Sequence, residues 1–183
     1  MNSKTLTLPL NLTTLSQVSF FIILSIFSFF IPFSFGHPQW LIGTIVNACL
    51  FSAAVFLPAR LLLPLIVFPS LGVLARGIIF GPFTFFLIYF LPFIWLGNLI
   101  LFLAFKKSFP VLKYIPSLIL ASAVKFLFLL IAANICFNLS LVPKMFLQTM
   151  GIFQLLTALG GGMVSLFVFK IYGQYNARSK RVT

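Results

Sequence analysis

The sequence contains no Asp and no Glu. A chain without carboxylates holds no paired acids for general acid–base work, no oxygen-rich calcium or magnesium site and no carboxylate proton relay. It has one histidine, His37, and two cysteines, Cys49 and Cys136. One imidazole and two thiols are too few for a zinc set or an iron–sulfur cluster within a single chain. Both cysteines fall inside apolar runs and read as small packing residues. A metal or catalytic role would need a second chain, so no cofactor is expected. No nucleophile stands beside a base, and the chain does not read as an enzyme.

Charge of either sign is scarce. Charged residues make up 7% of the chain against 62% hydrophobic, with 26 phenylalanines and a mean hydropathy of +1.22. A soluble domain of 183 residues would need far more charged surface than 12 Lys and Arg supply. Several runs reach or approach the roughly 20 apolar residues that carry a helix across a bilayer. The expected fold is therefore an all-α integral membrane protein, a bundle of six transmembrane helices whose first partner is the lipid bilayer. The net charge of +12 forms no basic face. The cations lie mostly between and after the apolar runs, where they set topology, and no nucleic-acid partner is expected.

Three regions follow: a cytoplasmic leader at 1–17, a membrane domain at 18–172 and a basic cytoplasmic tail at 173–183. The first run, Val18 to Phe35, ends on small residues as a signal peptide does. It is nonetheless longer than the usual roughly 7–15 apolar residues, and one Lys precedes it, so a retained span is expected. An outer loop, Gly36 to Trp40, leads to the second span, Leu41 to Leu57. The turn Pro58–Arg60 precedes a short third span, Leu61 to Phe80, expected to be broken at Pro64, Pro69 and Gly72. Gly81–Pro82 turns the chain into the fourth span, Phe83 to Phe105, and "KKSFPVLK" closes that hairpin. Tyr114 to Phe137 forms the fifth span and Met145 to Tyr172 the sixth. With the N-terminus inside, Lys4, Arg60, Lys106, Lys107, Lys113, Lys170, Arg178, Lys180 and Arg181 are cytoplasmic, nine of the twelve cations. That bias places both termini in the cytoplasm of a cell-membrane protein, with Trp40 at the outer interface.

One cation does not fit this division. Lys125 lies midway between Lys113 and Asn138, about 18–20 Å from either end of its helix at the α-helical rise. Its stem is too short to reach water past lipid. Ala121, Ser122, Ala132 and Cys136 share its face, which is small and weakly polar, so Lys125 points into the bundle or a cavity within it. Four arrangements would satisfy it. The amine can be neutral with backbone carbonyls accepting its bonds, face a wet cavity, pair with a partner subunit's carboxylate, or await an anionic ligand.

Other polar positions rank beside it. Gln154 lies at similar depth in the sixth span and shares a face with Ala158, Gly161 and Ser165. The glycines of "LGGGM" (159–163) allow another helix to approach closely. Arg76, near the outer end of the third span, can reach either a ligand's anionic group or headgroup phosphates. Asn98 and Asn47 read as interhelical hydrogen bonds, and Asn134 falls on the face opposite Lys125. His37 and Trp40, in the first outer loop, read as an interfacial anchor or as a lid.

The stretch "SLGVLARGIIFGPFTFFLIYFLPFIWLGN" (Ser70–Asn98) resembles the third and fourth helices of substrate-binding S subunits of energy-coupling-factor (ECF) transporters. The likeness is nearest to the biotin type, whose Gly-x-x-x-Gly-Pro turn is matched here by Gly77, Gly81 and Pro82. The resemblance implies a six-helix protein that binds a vitamin or related micronutrient from outside. It also implies partners, a coupling membrane subunit carrying two ATPases. By that resemblance, Lys125, Gln154 and Arg76 fall in a small-molecule pocket, with His37 and Trp40 near its mouth. The family's first helix carries spaced alanines that meet the coupling subunit. Here the first span offers Ser25 and Ser28, and the small residues Ala48, Ser52 and Ala53 fall in the second. The alternative is a structural or assembly subunit of a larger membrane complex, its lysine paired with a partner's carboxylate.

Overall fold

The computed structural model describes residues 14–80 and 84–179 of the 183-residue chain. Among these, all regular structure is helical: α1 (Thr14–Ser34), α2 (Gln39–Phe56), α3 (Leu62–Phe80), α4 (Thr84–Leu112), α5 (Tyr114–Asn138), α6 (Met145–Thr149) and α7 (Ile152–Ser179). A single 3-10 turn, Ala59–Leu61, precedes α3. Six helical stretches are long and apolar enough to cross a membrane, namely α1 to α5 and the α6–α7 stretch Met145–Tyr172. The chain is a multi-pass helical membrane protein.

Four boundaries differ from the sequence expectation. The first helix begins at Thr14, inside the expected leader. The third is not broken, and α3 runs on with Pro69 inside it. Pro64 lies in its first turn, where a missing N–H removes no intrahelical bond. Pro69 removes one bond only, which the flanking turns tolerate. The basic stretch after Phe105 is helical too: α4 continues through Lys106, Lys107 and Pro110 to Leu112. There Lys106 Nζ donates to the Leu57 carbonyl at 2.7 Å and lies 5.1 Å from the Phe102 ring centre, so its charge is met without a loop. Lys113 alone, with φ 66°, joins α4 to α5. The sixth span is interrupted at Met150–Gly151, which separates α6 from α7, and α7 extends past Tyr172 into the expected tail. The Gly81–Pro82 turn lies outside the described residues.

The second helix is the centre of the bundle. Its span is 61% buried, against at most 39% for any other, and it packs on α1, α3, α4 and α7. Small residues make this possible. A Cβ on Gly161 of α7 would stand 2.6 Å from both the Ala48 nitrogen and the Thr44 carbonyl of α2, so the two backbones touch. Gly162 faces Leu118 of α5 in the same close manner. The glycine run is thus a packing seam, as its spacing suggests. Outward-facing Ile26, Phe30, Leu127, Ile131 and Phe167 are exposed, the pattern of helices solvated by lipid.

Two apolar clusters fill the interior. The larger gathers Leu50, Phe51, Leu65, Phe102, Phe105 and Ala121, and the smaller gathers Phe90, Leu129, Ala132, Cys136 and Met150. Along α5, Ala121 belongs to the first and Leu129 to the second. Lys125 lies between them.

Candidate binding site around Lys125

The buried face of α5 carries Ala121, Ser122, Lys125, Ala132 and Cys136, the face its periodicity assigns. Asn134 is exposed on the other side and bonds back to the Leu130 carbonyl. Lys125 is only 2% exposed. Its Nζ donates to Asn47 Oδ1 at 2.8 Å and to Asn98 Oδ1 at 2.9 Å, so one amine ties α5 to α2 and α4.

Both amides are held in this orientation by their own donors. Asn47 Nδ2 donates to the Gly43 carbonyl at 2.9 Å and to Thr157 Oγ1 at 3.2 Å. Thr157 Oγ1 in turn donates to the Phe153 carbonyl at 2.8 Å. Asn98 Nδ2 donates to the Ile66 carbonyl at 3.3 Å. With both N–H groups of Asn47 and one of Asn98 bonded elsewhere, each carbonyl oxygen faces Nζ. Asn47 and Asn98 do bridge helices, as expected, but they also satisfy the lysine. None of the four arrangements anticipated for Lys125 included them, because a search for a counter-charge passes over neutral amides. A carbonyl dipole, fixed by its second hydrogen bond, answers a buried amine without adding a charge.

The lysine also lines a cavity of ≈ 160 Å³. Asn47, Asn98, Ser70, Gln154 and Thr157 contribute its polar wall, and Ile42, Val46, Val73, Ile94 and Phe153 its apolar wall. Ser70 Oγ accepts from Trp95 Nε1 at 2.7 Å and donates to the Val67 carbonyl at 2.8 Å, so its one proton is committed. Gln154 Nε2 has only a long contact to Met150 Sδ, 3.8 Å.

A wider chamber of ≈ 560 Å³ shares Pro32, Gln39, Ile42, Val73, Leu87, Thr149 and Met150 with the first. The two therefore adjoin, a narrow stage beside a wide one. Arg76 and His37 line the wide stage. Arg76 NH1 donates to the Ser34 carbonyl at 2.8 Å and the Phe33 carbonyl at 3.2 Å, capping the end of α1 where carbonyls lack helical partners. Gly36 leaves room for this guanidinium, since a Cβ there would lie 2.7 Å from Arg76 Nε.

Four of the five residues singled out from sequence thus line these adjoining cavities: Lys125 and Gln154 the narrow stage, Arg76 and His37 the wide one. The fifth, Trp40, does not. It lies in the first turn of α2 instead of the loop, is 57% exposed, and belongs to neither wall. Sequence reasoning did not assign Asn47, Asn98, Ser70 and Thr157 to the site. Their helical depth was readable, but which helices face one another was not.

Fold and site together define a class: a helical membrane protein with two adjoining cavities and a buried amine in the wall of the narrower. No protein-family description matches this chain, and neither does any curated protein or solved structure.

Proposed function

We propose that the protein is the membrane-embedded substrate-binding subunit of a micronutrient uptake transporter, of the ECF S-subunit kind, and that it captures a neutral or anionic small molecule. The observation that carries this reading is Lys125, 2% exposed, lining a cavity in a chain with no acidic residue. An intramembrane ionisable group is costly and marks a functional site by default. Apolar walls with a few convergent polar groups are what small-molecule sites present.

The distribution of cations supports an orientation in a cell membrane with both termini inside and the wide stage open to the exterior. Substrate then enters past His37 and Arg76 and settles against Lys125 and Gln154. Cationic solutes are disfavoured, because nothing in the chain neutralises them. A coupling membrane subunit with ATPases drives release to the inside. The small residues Ser52 and Ala53 are buried within the bundle. That leaves α1, whose span is least buried at 22%, as the face for a coupling subunit.

A pull-down of the tagged protein in mild detergent, with mass spectrometry of proteins and released metabolites, tests this. A coupling subunit with ATPases, or one stoichiometric neutral or anionic metabolite, is the expected result. An unrelated complex with no metabolite overturns it and favours an assembly role. A stoichiometric cation overturns it as well.

A further inference from the structure

Resting on the reading of the cavity as a solute site, we infer that Lys125 captures a carboxylate together with one proton, which ends on Nζ. A neutral primary amine has two N–H donors, and Nζ has two acceptors, Asn47 Oδ1 and Asn98 Oδ1. An ammonium has three donors, and no third acceptor meets Nζ among the described residues. The chain has no Asp or Glu side chain to offset a charge at this depth. Two amide oxygens are the complement of an amine.

The titratable groups on the elements around Nζ lie away from it. The elements packed on α5 bring Tyr89, Lys106 and Lys107 on α4 and Lys170 and Tyr172 on α7, and α2 brings Cys49; none lines the narrow stage. Tyr114 and Cys136, on α5 itself, do not line it either. Arg76 and His37 belong to the wide stage. Among the described residues, Lys125 is the one ionisable group in the narrow wall.

The same geometry selects the ligand's chemistry. Both N–H groups of Asn47 are committed to Gly43 and Thr157, and one of Asn98 to Ile66, so the two amides keep their oxygens toward Nζ. Their oxygens repel an incoming anion unless Nζ presents a proton between them. A third N–H on Nζ, with the amide N–H groups of Gln154 in the wall of the same cavity, supplies donors for a carboxylate. The step balances: a carboxylate and one proton from solution join the amine to give an ammonium paired with the carboxylate. One N–H bond forms, none breaks, and the net charge of the site is unchanged. Ring-bearing or branched apolar bodies suit the Phe153, Ile94 and Val46 wall.

Benzoate and benzamide, alike in shape and different in charge, serve as probes. Calorimetric titration of the full chain in lipid nanodiscs, in two buffers of different ionisation enthalpy, counts protons taken up per ligand. Benzoate is expected to bind with uptake of about one proton, as the single ionisable group of the narrow stage dictates, and benzamide with none. Lys125→Gln is expected to abolish the uptake. In ¹⁵N-lysine-labelled protein without ligand, the Nζ signal missing from Lys125→Gln should be that of an amine. Benzoate should convert it to that of an ammonium. Benzoate binding without proton uptake overturns the inference, as does an ammonium signal before any ligand is added or failure of both probes to bind. The solute reading itself stands or falls separately, on the pull-down.

Discussion

The two ends of the bundle are made from the same helices and differ in what occupies the space between them. At the end that holds Tyr114, aromatic rings interlock. Phe51 and Phe105 meet edge to face at 5.0 Å, Phe105 and Tyr114 at 5.1 Å, and Phe109 and Phe169 at 6.0 Å. The Tyr114 hydroxyl is consumed by the Gly162 carbonyl at 2.7 Å. At the other end the helices carry irregularities at the level of the cavity. Pro32 of α1, Pro69 of α3 and Met150, beside the α6–α7 interruption, all line it. Large rings filling the axis make a plug, and prolines with medium side chains border a chamber. Lys125 marks the boundary, held by two amides that belong to neither cluster.

The comparison breaks most severely at the seam both ends share. Gly161→Leu places a side chain where two α2 backbone atoms leave no room. It is expected to cost more than about 3 kcal/mol, read as loss of the monodisperse peak on size-exclusion chromatography in detergent. Next comes the plug. Phe105→Ala, at a fully buried ring, should cost about 3–5 kcal/mol by thermal denaturation, yet leave benzoate affinity per folded molecule unchanged. An equal loss of affinity would show that plug and chamber are not separate.

Asn98→Leu probes the boundary itself. It strands one N–H of Lys125 and should cost about 1–3 kcal/mol. Adding Lys125→Met to the same protein should recover most of that stability without restoring proton uptake. Additive losses in that double-mutant cycle would mean the amide and amine are uncoupled. The smallest effect belongs to Trp40→Ala. With 57% of its surface exposed and no part in the cavity wall, it should change stability by no more than about 0.5 kcal/mol. Benzoate affinity should not move, and a large drop would return Trp40 to the mouth of the site.

What could be read in advance follows the same division. Long apolar runs report the spans directly, because lipid imposes a length and a polarity on each. The face of α5 was legible because helical periodicity carries it. The partners of Lys125 were not, since they lie 78 and 27 residues away in sequence and only tertiary packing brings them within 3 Å. The cationic stretch after Phe105 looked like a loop because charge signals an interface. In the fold it is the end of a long helix whose first lysine finds the Leu57 carbonyl. The interruption at Gly151 had no signal, as one glycine in an apolar run is common in membrane helices.

The one-residue link at Lys113 bears on how such a chain enters a bilayer. The helices it joins, α4 and α5, carry Asn98 and Lys125, which bond to each other at 2.9 Å. Joined so closely, they form a hairpin that brings its own answer to its most awkward side chain. In an insertion that follows chain order, this pair would meet Asn47 on α2 before α7 is made, so both acceptors of the amine come from helices that precede or accompany it.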